Sequence, residues 1–210
     1  MYYAPHNEYI NKQAIIVIVG ITPGWNQMKT AFEQFINGLN TDHPVEQILK
    51  EVKKAASFSG AMRSNLIQML DECGIPEAAH VEHSASLFEE NRHLLHTTSV
   101  IKYPVFYKGK NYTGHQPSIE QSSLLSKHAF DVFPKEISQM QQSALLIPLG
   151  KTVEQVFHKL FREGKLANHY CLFGFPHPSG ANGHRKKQFL EQKNSLIASV
   201  KEWARYRQLQ

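Results

Sequence analysis

Two proline- and glycine-rich turns carry the side chains best suited to chemistry, and they lie near opposite ends of the chain. They are Gly20-Ile21-Thr22-Pro23-Gly24-Trp25 and Phe175-Pro176-His177-Pro178-Ser179-Gly180-Ala181-Asn182. In the second, two prolines hold His177 in a rigid frame. A fixed imidazole suits stabilising charge on a leaving group, and the small residues that follow leave room for a bulky backbone. In the first, Pro23 fixes the chain while Gly20 and Gly24 permit close approach by a ligand, so main-chain NH groups and the Thr22 hydroxyl can line a pocket. Neither sequence builds a core, and the expectation is that the two turns face each other.

Charge points to the partner. Residues 181–210 contain seven cations, Arg185, Lys186, Lys187, Lys193, Lys201, Arg205 and Arg207, against Glu191 and Glu202. That surplus equals the whole formal net charge of +5. A basic concentration beside the histidine turn suits a polyanion such as nucleic acid, although a solvated basic helix face has the same composition.

Other chemistries fit less well. Leu145 to Phe157 presents strand, Gly150-Lys151-Thr152 and helix, but the phosphate-loop pattern needs a glycine where Leu145 stands, and Pro148 removes a backbone NH. The pairs His80/His83 and His93/His96 lack the glutamate and spacing of a zinc motif, so no metal is expected. Ser179 lacks a nucleophile elbow. Two cysteines, Cys73 and Cys171, cannot supply the four ligands of an iron-sulfur cluster, and no cofactor is expected.

Four short apolar runs, 15–19, 96–101, 144–148 and 170–173, read as buried strands, and helical patterns cover 26–39, 45–55, 61–75, 120–140, 151–164 and 185–207. Pro134 should break the fourth helix. Strands alternating with helices predict an α/β fold with a parallel sheet covered on both faces, and its sites lie beyond the carboxyl ends of the strands. Both turns occupy such positions. Residues 106–117 read as a polar, basic and aromatic loop. The 210 residues, 41% hydrophobic, suffice for a core and show no repeat or linker, so a single domain over 1–210 is expected. No run approaches the ~20 apolar residues of a membrane span, and the first residues lack signal-peptide segments. The reading is a cytoplasmic monomer with no membrane partner.

These turns carry a resemblance. Residues 20–24 resemble the first catalytic motif of the uracil-DNA glycosylase superfamily, and His177-Pro178-Ser179-Gly180-Ala181-Asn182 resembles its second. Residues 57–75, 94–106 and 144–157 resemble intermediate landmarks in the same order, so the similarity spans about residues 14–203. The resemblance implies a three-layer α/β/α sandwich with a central four-stranded parallel sheet. It also implies hydrolysis of the N-glycosidic bond of a base flipped out of DNA, duplex or single-stranded. Carried over, Thr22 stands where the family places the residue that orients the attacking water, and His177 donates to the departing base. Phe58 stacks on the base, and backbone near Ile21 contacts its edge. Pro23, Gly24, Ser179 and Gly180 approach the DNA backbone, while Ala181 and Asn182 begin a loop that probes the duplex, followed by Arg185 and Lys186.

Two positions depart from the family pattern. Thr22 is neutral and can hydrogen-bond a water but cannot act as a base. Where many relatives read the pyrimidine edge with Asn, this chain has Ser99, with His96 nearby, so a uracil or a modified or damaged pyrimidine is expected. A DNA- or nucleotide-binding protein with the same fold and little catalysis is the alternative.

Overall fold

Alternation along one strand decides the layers. The computed structural model describes residues 1–208, and in it β1 (Ile16–Gly20) is buried along its whole length. Ile16 and Ile18 join a core built on α3 (Ala61–Glu72), α4 (Ile75–Ala79) and the C-terminal helix α8 (Arg185–Gln208). Val17 and Val19 point the other way, into a core with Phe130, Phe133, Ile137, Val153, Phe157 and Leu160. A strand apolar on both faces must lie inside a sheet with helices on each side. β1 accordingly pairs in parallel with β2 (Leu95–Ser99) on one edge and β5 (Leu145–Pro148) on the other. β6 (Tyr170–Cys171) extends the sheet beyond β5, in the order β2-β1-β5-β6. This is the three-layer α/β arrangement with four parallel strands.

Register brings the strand exits level. Gly20 pairs with Ser99 and Val19 with Pro148, so the loops after β1, β2 and β5 emerge at one end. The order reverses between β1 and β5, and that is where crevices form in open α/β sheets.

Local rules explain most other elements. α1 (Trp25–Leu39) and α2 (Val45–Ala56) pack against each other around Ala31, Ile48, Val52 and Ala56, and Gly38 is the point of closest approach to Ile48. Phe32, Ile36 and Leu39 nevertheless face outward. Pro134 interrupts the helix expected at 120–140. α5 (Ser123–Lys127) and α6 (Phe133–Ile137) are joined by a wide π-turn over His128–Val132. Proline cannot donate to the carbonyl four residues back, Phe130, and the Lys165 ammonium takes that acceptor at 2.9 Å. α7 (Lys151–Arg162) follows β5 directly. Within the segment 106–117, expected as a loop, Phe106–Tyr107 (β3) and Lys110–Asn111 (β4) pair as an antiparallel hairpin. Its turn residues, Lys108 (φ 49°) and Gly109 (φ 73°), both have the positive φ of a type I′ turn. Among the described residues no helix is long and apolar enough to cross a membrane.

The opposite end of the sheet buries charge. The Lys53 ammonium donates to the Tyr9 carbonyl at 2.8 Å, and burial lowers its pKa to about 7. Burial, with the nearby Lys53 charge, lowers His6 to about 3 and His96 to about 4. All three bases therefore bind fewer protons folded than unfolded, and the stability they lend is lost as pH falls. Urea unfolding should show stability rising with pH from about 5 to 6.5 through the histidines, by about 1.4 kcal/mol per unit for each, and again from about 7 to 9 through Lys53. Lys53→Met should abolish the second rise and keep the first. A flat profile above pH 7 in the parent protein would show that Lys53 stays charged in the fold.

Candidate active site

Gly20, Phe58 and Ser99 converge at the exit of β1. A Cβ on Gly20 would lie 3.6 Å from the Ser99 Oγ and 3.7 Å from the Phe58 ring. Phe58 reaches this place on a strained backbone, with φ 51°. Its neighbours hold it there. The Ser57 Oγ lies 2.6 Å from both the Lys53 carbonyl and the Thr97 Oγ1. Arg63 donates to the carbonyls of Lys54, Ala55 and Ser57, which are last-turn acceptors of α2 without helical partners. No motif marks Arg63, because its role exists only once α2 and α3 meet.

The first turn is tied down through its polar groups. Thr22 Oγ1 donates to the Tyr103 carbonyl at 2.8 Å and accepts from the Val105 NH at 3.1 Å. Its hydroxyl thus clamps the chain leaving β2 and keeps one lone pair for a further donor. The carbonyls of Gly20 and Ile21 accept from Val100 and Ile101, which prolongs the sheet pairing past the strand ends. Pro23 is buried, and Gly24 sits against Asn111 of the hairpin, whose Oδ1 accepts from the Trp25 NH at 3.0 Å. Gly114 contacts the Ile21 and Thr152 side chains so closely that no larger residue fits.

The second turn crosses over the exit of β5. The Gly150 NH donates to the Phe175 carbonyl at 2.9 Å, and a Cβ on Gly150, whose φ is 83°, would stand 3.1 Å from the His177 Cβ. The Ser179 NH donates to His177 Nδ1 at 3.2 Å. An Nδ1 that accepts leaves the ring proton on Nε2, and burial lowers the imidazole pKa below its usual value. His177 is therefore a neutral ring whose free donor is Nε2–H.

The rest of this turn is braced from within. Ser179 Oγ accepts from the Ala181 NH, and Gly180 is exposed at the bend. Asn182 Nδ2 donates to the His177 carbonyl and to Gln188, which turns its amide inward. Arg185 Nη1 donates to the carbonyls of Pro178 and Ser179, and its Nη2 donates to Asn65 Oδ1. Asn65 in turn donates to the Pro178 carbonyl at 3.0 Å. Since α3 begins just after Phe58, Asn65 couples the histidine turn to the element that carries the aromatic ring. Lys186 is exposed.

One expected residue lies elsewhere. His96 is fully buried near the start of β2, three residues before Ser99, with Nε2 donating to Glu136 at 2.9 Å and Nδ1 accepting from the Asn11 NH. Strand rise places it about 10 Å below the crevice. Its neighbour is a carboxylate that burial alone would raise, yet contacts with His96 and Lys53 hold it low. His96 belongs to the buried charge cluster.

The arrangement offers a neutral donor, an aromatic face, two hydroxyls and a close-approach glycine, with few charges nearby. It suits stabilising an anionic leaving group from a flat ring. The chain is similar to known proteins over nearly its whole length. The family model described as the uracil DNA glycosylase superfamily matches residues 8–201. An uncharacterized protein of Bacillus subtilis (strain 168), YoxB, is 54% identical over 204 residues, covering 97% of this chain and 80% of the relative. No solved structure matches significantly.

Arg185 and Lys186 should separate in experiment. Arg185→Ala removes a brace and should lower stability by about 1–3 kcal/mol in urea, without changing the salt dependence of DNA binding. Lys186→Ala should leave stability unchanged and reduce the log–log salt slope by about 0.9. The opposite assignment of effects would show that Arg185 faces the nucleic acid and Lys186 the loop.

Proposed function

Since the chain belongs to the uracil DNA glycosylase superfamily, we propose that it is a monofunctional DNA N-glycosylase. It removes a flipped-out uracil or a modified or damaged pyrimidine and leaves an abasic site. The observation that carries this reading is His177, held neutral with its Nδ1 occupied by the Ser179 NH and its Nε2–H free. As the bond between deoxyribose C1′ and the base nitrogen breaks, its electron pair leaves with the base and the sugar becomes cationic. A fixed donor aimed at the base oxygen stabilises that developing anion. Water adds its oxygen to C1′, and its proton ends on the departing base. The lone pair left on Thr22 accepts a hydrogen bond from that water, which orients it without deprotonating it.

The other lining groups have matching uses. Phe58 stacks on the extruded base, which helps repay the few kcal/mol of flipping. Ser99 offers one hydroxyl to the base edge, where an amide would offer a paired donor and acceptor, so the pocket tolerates groups that a strict uracil reader rejects. Gly180, exposed at the bend, together with Gly24 and Lys186, approaches phosphates. Neither turn motif carries a lysine, so strand cleavage through a Schiff base is not part of the reading.

One observation favours the alternative of DNA binding with little catalysis: the Thr22 hydroxyl is already committed twice. Oligonucleotides carrying different bases, incubated with protein and then treated with alkali, separate the two. The glycosylase reading expects abasic sites from at least one base, with His177→Ala slowing single-turnover excision by about 10²–10³ while DNA affinity is kept. The parent rate should be level from about pH 7.5 to 8.5, where an imidazole that burial holds below its usual pKa is neutral. No excision from any base, with DNA still bound, would establish the binding reading.

A further inference from the structure

Beside the first turn lies a surface that glycosidic chemistry does not use. Trp25 is 55% exposed, Tyr107 40% and Tyr2 61%, although large aromatic rings ordinarily leave water. Trp25 and Tyr2 belong to one row. Phe106 stands between them, its ring centroid 6.1 Å from that of Trp25 and 5.6 Å from that of Tyr2, both edge-on. Side chains alternate along β3, so Tyr107 and its cross-strand partner Lys110 lie on the hairpin's other face, where the Lys108 ammonium is 5.4 Å from the Tyr107 ring centroid. The row is fixed to the candidate site, since Asn111 accepts from the Trp25 NH and packs on Gly24.

The backbone supports the same reading. A type I′ turn prefers Asn or Gly at its first position, and this chain puts Lys108 there with φ 49°. The strained residue is the one that carries the charge at the tip. Exposed rings beside a cationic hairpin tip match the surface that unpaired nucleic acid needs, where bases stack on aromatic faces and phosphates meet ammonium groups. A duplex keeps its base faces inside its own stack and would leave these rings unused.

We propose that Trp25, Phe106 and Tyr2 form a stacking platform for unpaired nucleotides flanking the target, with Lys108 and Lys110 meeting phosphates at the hairpin tip, so that the substrate is single-stranded DNA. The platform takes its purpose from the glycosylase reading above, yet its binding is measurable without excision.

Fluorescence anisotropy with an oligothymidylate of about 15 nucleotides, and with a duplex of equal length, both lacking any target base, tests it directly. The single strand should bind at least about tenfold tighter than the duplex. Trp25→Ala should weaken single-strand binding about tenfold and Trp25→Phe should restore most of it. Lys108→Asn with Lys110→Gln, which keeps the turn, should lower the single-strand salt slope by about 1.4. Equal or tighter binding of the duplex, or a neutral Trp25→Ala, overturns the platform. Excision is scored separately on single-stranded and duplex oligonucleotides. Platform effects without excision of any base would sink the glycosylase reading alone. Excision equal on both strands and indifferent to Trp25→Ala would sink the platform alone.

Discussion

The close crossing of residues 173–178 over the exit of β5 is the constraint on which the candidate site depends. Two chain segments can approach this closely only where one of them lacks a side chain, and Gly150 meets the His177 Cβ there with a backbone conformation that L side chains rarely adopt. The crossing is fastened by the Gly150 NH on Phe175 and by Glu154, whose carboxylate accepts from the Gly174 NH. Everything downstream inherits this position. His177 packs on Gly150, Pro178 presents its carbonyl to Asn65 and Arg185, and α8 starts with a basic first turn just after this loop. The glycine that looked like part of a phosphate loop serves instead to let another loop pass.

Charge is distributed between the two ends of the sheet in a way that follows from the chemistry each end performs. The end opposite the crevice buries Lys53, His96 and Glu136. The Arg92 guanidinium there donates to the Ser57 and Thr97 hydroxyls. Those hydroxyls also set the backbone that leads into Phe58, so the charged end supports the crevice mechanically without placing a full charge in it. Near His177 the surroundings stay apolar enough to keep the ring neutral. A charged imidazole would need both nitrogens to donate, and the Ser179 NH would then face another donor.

The sheet was legible in the sequence because buried parallel strands are short apolar runs, and each ended near a turn signal. The two turns were legible because proline and glycine constrain the backbone wherever they stand. Residues that act across the fold were not. Asn65 and Arg63 lie on an ordinary helical pattern, and their partners are carbonyls more than a hundred residues away or in the preceding helix turn. Arg185 and Asn182 read as outward-facing because composition cannot tell a phosphate-seeking cation from one that satisfies backbone acceptors. The β3–β4 hairpin was missed since its strands are two residues each and its turn puts Lys where Asn or Gly marks the type. His96 was misplaced by three residues along a strand, a distance that changes the end of the molecule it serves.

Three non-glycine residues have positive φ, and comparing them shows where strain carries information. His80 closes α4 in the left-handed conformation common at helix ends, and its place in the turn accounts for it. Phe58 occupies the corresponding position after α2, one residue past the cap Ser57, where glycine would avoid a penalty of about 1–2 kcal/mol. An aromatic ring kept there, buried against Gly20 and Ser99, forgoes that relief for the sake of where the ring lies. Lys108 does the same at the hairpin tip with an exposed cation. Phe58 is part of the buried core at the exit of β1, whereas Lys108 stands exposed at the hairpin tip and packs on no core residue. Helix termination accounts for the positive φ of Phe58 as it does for His80, and what sets Phe58 apart is the ring it carries to the exit of β1 beside Gly20 and Ser99.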